Sequence, residues 1–371
     1  GSDRLRRQGR PVRRGLIPVK IPNRPFIVSL TERRVAGRKK LPAACALLLW
    51  RKRRQRPSSL PLFLPQTTPN PERENEVPFY GILSYLINGV SLGSVYAIIA
   101  LGYTMVYGIA KMLNFAHGDV IMIGGYVSFC AMFYLGLPNI VAVLMAVVVC
   151  TVLGIVIERL AYKPLRSAPS LAVLITAIGV SYFLQNSALL IWKAAARSYP
   201  PVVTGAVKIF GGKLTVSYIS LLTISVCIVI MLALTLFVSK SKMGKAMRAC
   251  SEDKAAAQLM GINVNATISA TFAIGSALAA IAGVLLCSFN TSLMPTTGSM
   301  PGIKAFTAAV FGGIGSIPGA FLGGLLLGII EAMAQAYIST NLANSIVFAV
   351  LIVVLLVKPA GLLGKSVTEK V

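Results

Sequence analysis

Charge is what this sequence has least of. Only 13% of its 371 residues are Asp, Glu, Lys or Arg, about half the share usual in a water-soluble domain. That shortage argues against one soluble globular core. Histidine occurs once, at His117, so neither a Ser/His/Asp set away from that residue nor a histidine-built metal site is available. The six cysteines (Cys45, Cys130, Cys150, Cys227, Cys250 and Cys287) form no CxxC pair, which speaks against a disulfide framework or a zinc site and for buried thiols. No Gly-x-x-x-x-Gly-Lys-Ser/Thr phosphate loop occurs, so the chain is expected to hydrolyse no nucleotide itself. No catalytic residue, metal ligand or cofactor is expected.

What charge there is lies unevenly. The 36 basic and 11 acidic residues give +25, a value that would suggest an anionic partner. Residues 1–76 hold 19 basic and 5 acidic residues, a surplus of 14, whereas 77–371 hold 17 and 6, a surplus of 11. The first segment is rich in Pro and Arg, and its apolar piece Ala43 to Trp50 is too short to span a bilayer. It reads as a basic arm for anionic lipid or RNA, a targeting segment, or a disordered or non-native extension. The last reading is preferred, and no nucleic-acid partner is expected.

From Val77 onward the uncharged runs are long. A bilayer crossing needs about 20 predominantly apolar residues, which places spans near 83–108, 119–136, 140–158, 170–192, 217–238, 264–288, 318–337 and 342–357. The fold class is therefore all-α, a polytopic membrane protein with eight crossings. A ninth apolar piece, Ala305 to Gly315, is too short to cross and reads as a half-helix shielded by protein. Loop charges orient the chain. With 239–263 cytoplasmic, the inside segments carry 12 basic residues, and the outside carries five: Lys193, Arg197, Lys208, Lys213 and Lys304. The N-terminal end of the first span then faces outward.

Small residues recur at helix-packing spacing: Gly89 with Gly93, Gly319 with Gly323, Gly324 with Gly328, and Ala273, Ala277 and Ala280 along one helix face. Polar residues gather at Lys111 to Asp119, between two apolar runs. This segment is either a cytoplasmic turn or a polar kink beside a substrate pathway, in which Asn114, His117 and Asp119 offer hydrogen bonds. Glu331 is expected to face a helix partner or the headgroups. The loop 240–263 differs from the others. Ser251 is a candidate N-cap, Glu252 and Asp253 suit a first helical turn, Lys254 follows, Ala255, Ala256 and Ala257 favour helix, and Gly261 is a natural stop. A short surface helix there would serve as a docking knob for a soluble partner.

The Ala256-Ala257-x-x-x-Gly261 pattern resembles the EAA motif with which permeases of ATP-binding cassette importers seat a coupling helix on their ATPases, with Ala255 where the family has Glu. Further stretches carry a closer likeness: Asn88 to Ala97 running on to Gly102 to Gly108, then Asn114 to Asp119, Arg248 to Asp253, and Lys304 to Ala320. Together they resemble the high-affinity branched-chain amino acid permeases of the LivH type, from about Phe79 to Val371. The resemblance implies a multi-pass bacterial inner-membrane subunit that pairs with a second permease of the LivM type. It also implies two cytoplasmic ATPase subunits and a periplasmic amino-acid-binding protein, with Glu252 to Gly261 facing the ATPases. The cargo would be leucine, isoleucine or valine, moved by alternating access. A permease for another small solute (an amide, urea or a sugar) and a self-sufficient channel or carrier stay open as alternatives.

Overall fold

Lipid offers a backbone amide no partner, so an uncharged run at membrane depth closes its own hydrogen bonds as a helix. The computed structural model describes residues 78–166, 168–209, 212 and 214–364, and helix dominates them. The reading of residues 1–76 lies outside the described residues. In chain order come α1 (Pro78–Ala110), α2 (His117–Phe133) and α3 (Asn139–Ile157), the last continued by a π turn (Glu158–Tyr162) and a 3-10 turn (Lys163–Leu165). Then follow α4 (Ser170–Trp192), β1 (Arg197–Ser198), β2 (Ala206–Ile209), β3 (Leu214–Ser217) and α5 (Tyr218–Lys240). After α6 (Lys242–Glu252) and α7 (Lys254–Leu259) come α8 (Val264–Asn290), β4 (Ser292–Leu293), α9 (Ser299–Gly312), α10 (Ile317–Tyr337) and α11 (Thr340–Val357).

Among the described residues, seven helices are long and apolar enough to cross a membrane, and α2 is a shorter apolar helix of 17 residues. All eight expected spans thus appear as helices. The strands are minor: β2 and β3 form an antiparallel hairpin from Ala206↔Ser217 to Ile209↔Leu214, and β1 pairs with β4.

Packing centres on α1, which touches α5, α6, α8, α9 and α10. Its contact with α10 is backbone on backbone. A Cβ on Gly93 would stand 2.9 Å from the Leu325 Cα, and one on Gly89 would stand 2.9 Å from the Ile329 Cα. That is why both positions carry no side chain, and why two of the glycine pairs predicted from spacing, Gly89/Gly93 and Gly324/Gly328, face each other here, whereas Gly319 and Gly323 pack on Gly312 and Ala308 of α9. The alanine stripe on α8 is less simple. Ala280 is fully buried, but the rest of the packed face runs through Gly275, Ser276, Ala279 and Gly283, and Ala273 and Ala277 are only half-buried. Three helices, α1, α2 and α3, press on α8 together, and they select a different side.

Two expectations need correction. The short apolar piece begins earlier than Ala305: α9 runs from Ser299, with Pro301 in its first turn, where a missing N–H removes no helical bond. Its carbonyl end is closed by the segment after α11, since the Leu362 and Leu363 amides donate to the Phe311 and Gly312 carbonyls at 2.9 and 3.0 Å. Those are orphan acceptors of a helix terminus, satisfied from a distant stretch of chain. Lys304, counted above as an outside-loop charge, sits inside the protein at 6% exposure. Its Nζ donates to Glu331 Oε1 at 2.7 Å, while the Tyr96 hydroxyl donates to Oε2 at 2.9 Å and Gln335 Nε2 to Oε1 at 3.1 Å. A lone lysine at that place would be costly, and Glu331, which does face a helix partner, removes the cost.

Candidate functional site

Between α5 and α8 the chain leaves the bundle and builds a compact polar step. Ser241 opens α6 by accepting from the Gly244 amide at 2.8 Å. Met247 and Cys250 are buried, so the apolar side of α6 holds it to α1, α5 and α8. That anchoring carries α6 through Ser251 to Glu252, and Ser251 is therefore not the cap. Asp253 is the cap instead, accepting from the Ala255 and Ala256 amides at 2.7 and 3.1 Å. The extended backbone of Asp253 breaks the two helices apart.

Short α7 shows two faces. Ala257 is buried and Lys254 half-buried, while Glu252, Asp253, Ala255 and Ala256 are exposed. The helix stops at Met260, and Gly261 takes a left-handed φ of +80°, which glycine adopts without strain. Just before it, Leu259 and Met260 are 89% and 82% exposed. Two large apolar side chains thus stand side by side at the exposed tip of the step.

Lys254 ties this step to the bundle. Its Nζ donates to the Ala110 carbonyl at 2.7 Å, which is the last residue of α1. Burial pulls the Lys254 ammonium below its ordinary pKa, and the positive charges of Arg166 and Lys111 add to that. The same corner holds Arg166 against Glu158 and Asn265, and Ser269 donates to Glu158 Oε2 at 2.6 Å.

The second polar group is Asn114, His117 and Asp119, all at most 5% exposed. It is no surface turn. The His117 ring sits against Gly102, where an added Cβ would come within 2.6 Å of Nε2. Gly102 precedes Ala110 by eight residues, about 12 Å of helix, so the chain between α1 and α2 climbs back into the bundle before α2 starts. The three side chains then part company. Asn114 Oδ1 accepts from the Tyr162 hydroxyl at 2.9 Å, and Asn114 lines a small recess together with Phe306 and Tyr103. His117 packs with its centroid 4.6 Å from that of Tyr103. Only Asp119 opens on a cavity of about 280 Å³ between α2, α4 and α9.

Residues from α4 and α9 complete that cavity, and sequence reasoning did not single them out. Gln185 Nε2 donates to Asp119 Oδ1 at 2.9 Å and lies 3.2 and 3.3 Å from the Ser181 and Ser299 hydroxyls. A signal was present: Ser181 and the cluster Gln185-Asn186-Ser187 are polar positions within a mostly apolar run. On the floor, Gly118 and Gly302 bring the starts of α2 and α9 together, with an added Cβ on Gly302 standing 2.9 Å from the Gly118 Cα. Among the described residues no group of three or more His, Cys, Asp or Glu side chains is placed to hold a metal ion.

Comparison with known proteins gives a consistent picture. A family model described as the branched-chain amino acid transport system permease component matches residues 85–356. The chain is 48% identical over 306 residues to the high-affinity branched-chain amino acid transport system permease protein LivH of Escherichia coli K12, spanning 79% of this chain and 99% of the relative. It is 47% identical over 306 residues to LivH of Salmonella typhimurium, with the same coverage. Against the corresponding permease BraD of Pseudomonas aeruginosa the identity is 46% over 304 residues, again with 79% and 99% coverage.

Proposed function

The chain belongs to the family of permease components of branched-chain amino acid transport systems, and from that premise we propose that it carries leucine, isoleucine and valine across the bacterial inner membrane as one half of an ATP-driven importer. Its own residues hydrolyse nothing. A second, homologous permease of the LivM type closes the pathway from the other side, a periplasmic binding protein delivers the amino acid, and two cytoplasmic ATPases supply the driving force.

The observation that carries this reading is the step formed by α6 and α7. Leu259 and Met260 stand out from it, 89% and 82% exposed, as the knob an ATPase cleft would receive. Lys254, five residues before Leu259, holds the end of α1. Closure of the ATPase pair would therefore pull on the most connected helix of the bundle, and it would favour whichever permease state fits the moved knob. Asn114, His117 and Asp119 then lie along the pathway side of the same helix junction, with Asp119 the residue that meets open space.

Reconstitution tests the proposal. Proteoliposomes holding the two permeases and both ATPases, with ATP inside and the binding protein outside, should accumulate leucine, and omission of the ATPases should abolish accumulation. Uptake by this chain alone down a proton gradient would overturn it. Within the working complex, Leu259→Asp together with Met260→Asp should release the ATPases while the permease stays inserted, and ATPases retained by that variant would remove the knob from the mechanism.

A further inference from the structure

Three carboxylates are buried in the described part of this chain: Asp119, Glu158 and Glu331, each at most 3% exposed. Two of them have a cation in contact, Arg166 for Glu158 and Lys304 for Glu331. Asp119 has none. Its hydrogen-bond partner on α4 is the neutral amide of Gln185, and the side chains around its cavity include no Lys, Arg or His. A buried carboxylate without a counter-ion is costly unless a cation arrives to pair with it.

Resting on the amino acid importer reading above, we propose that this cavity is a transit site for the cargo, in which Asp119 pairs with the α-ammonium group of an aliphatic amino acid. Neutral Gln185 and Ser181 orient the carboxylate from α4. The aliphatic side chain lies against Phe115, Ile178 and Ile303, and the glycine floor at Gly118 and Gly302 lets the ligand approach backbone closely. At about 280 Å³ the space is just below the range of drug-sized sites, roughly 300–1,000 Å³, and suits a single small amino acid. The pairing is transient by construction, because one charge-assisted contact in a half-open cavity holds a ligand without trapping it.

The test uses the complete importer in proteoliposomes loaded with ATP. Asp119→Asn should lower leucine uptake about tenfold or more, the scale of a lost charge-assisted hydrogen bond, in complexes whose subunits still co-purify. Ser181→Cys places a reporter on the cavity wall. A small methanethiosulfonate reagent should modify it, leucine with its binding protein and ATP should slow that modification, and the Ser181→Cys/Asp119→Asn variant should lose the protection. Ile178→Trp should depress isoleucine and leucine uptake more than valine uptake. Undiminished uptake by Asp119→Asn, or modification of Ser181→Cys that leucine leaves unchanged, overturns the site. If Asp119→Asn prevents assembly, protection of Ser181→Cys alone decides in the same two directions. Absence of leucine uptake by the unsubstituted complex, with Ser181→Cys protected by a different amino acid, overturns the branched-chain reading and leaves the ammonium site standing.

Discussion

Lys304 and Glu331 form an ion pair at 2.7 Å that is almost wholly buried, and its energetics differ from those of a surface pair. Removing one partner strands the other, at about 3–5 kcal/mol, whereas replacing both with apolar residues of similar volume is close to neutral. Lys304→Met should therefore lower the melting temperature of the detergent-solubilised protein sharply, and Lys304→Met with Glu331→Leu should recover most of the loss. A double variant as unstable as the single one would assign the pair a role other than charge compensation. Gly261 is a different kind of residue. Nothing lies within 4 Å of the place a Cβ would occupy, yet φ is +80°, so the penalty for Gly261→Val is backbone strain of about 1–3 kcal/mol and not a clash. The expected result is ATP-driven uptake reduced severalfold with unchanged membrane abundance on immunoblots, and a milder defect for Gly261→Asn, which tolerates that region.

At the scale of elements, the two ends of α7 are chemically distinct, with Leu259 and Met260 exposed at one and Lys254 bonded to the end of α1 at the other; on the proposed reading the first is the knob that meets an ATPase and the second the tether that passes its motion to α1. Lys254→Met should leave the knob intact and cut the bond to the Ala110 carbonyl. ATPases should still co-purify, and leucine moved per ATP hydrolysed should fall; an unaltered ratio would show that force reaches α1 by another route. How far sequence reveals such elements depends on the distance over which the deciding contacts act. The eight spans were readable because lipid imposes one requirement on each run by itself. Gly261 and the surface helix were readable because caps are local. The cap itself shifted from Ser251 to Asp253, since burial of Met247 and Cys250, a tertiary matter, extends α6 past Ser251. The start of α9 was hidden behind a Thr-Gly-Ser-Met-Pro stretch that reads as loop, and Lys304 passed for a loop charge because its partner is 27 residues away. The cavity was half legible. Asp119 stood out as a charge between apolar runs, but Gln185, 66 residues on, meets it only after α4 has packed beside α2.

Over the whole molecule, orientation follows from the same corrections. Once Lys304 is placed in its ion pair, the outside loops keep four of the five basic residues assigned to them, against 12 inside, and the inward bias grows. An impermeant maleimide should label Lys208→Cys, in the β2–β3 hairpin, from outside intact cells, and should reach Gln258→Cys only after permeabilisation. Labelling of both from one side would overturn the orientation. The junction of α9 with α10 bears also on how such a chain is made. At 14 residues, about 21 Å, and with a lysine in its middle, α9 has neither the length nor the hydropathy to enter lipid by itself. Its counter-charge arrives with α10, and its carbonyl end is closed only when the stretch after α11 returns to it. Stable insertion of α9 is thus coupled to the arrival of α10 with Glu331 and to the return of Leu362 and Leu363, so that roughly the last fifth of the chain is expected to settle in the bilayer together.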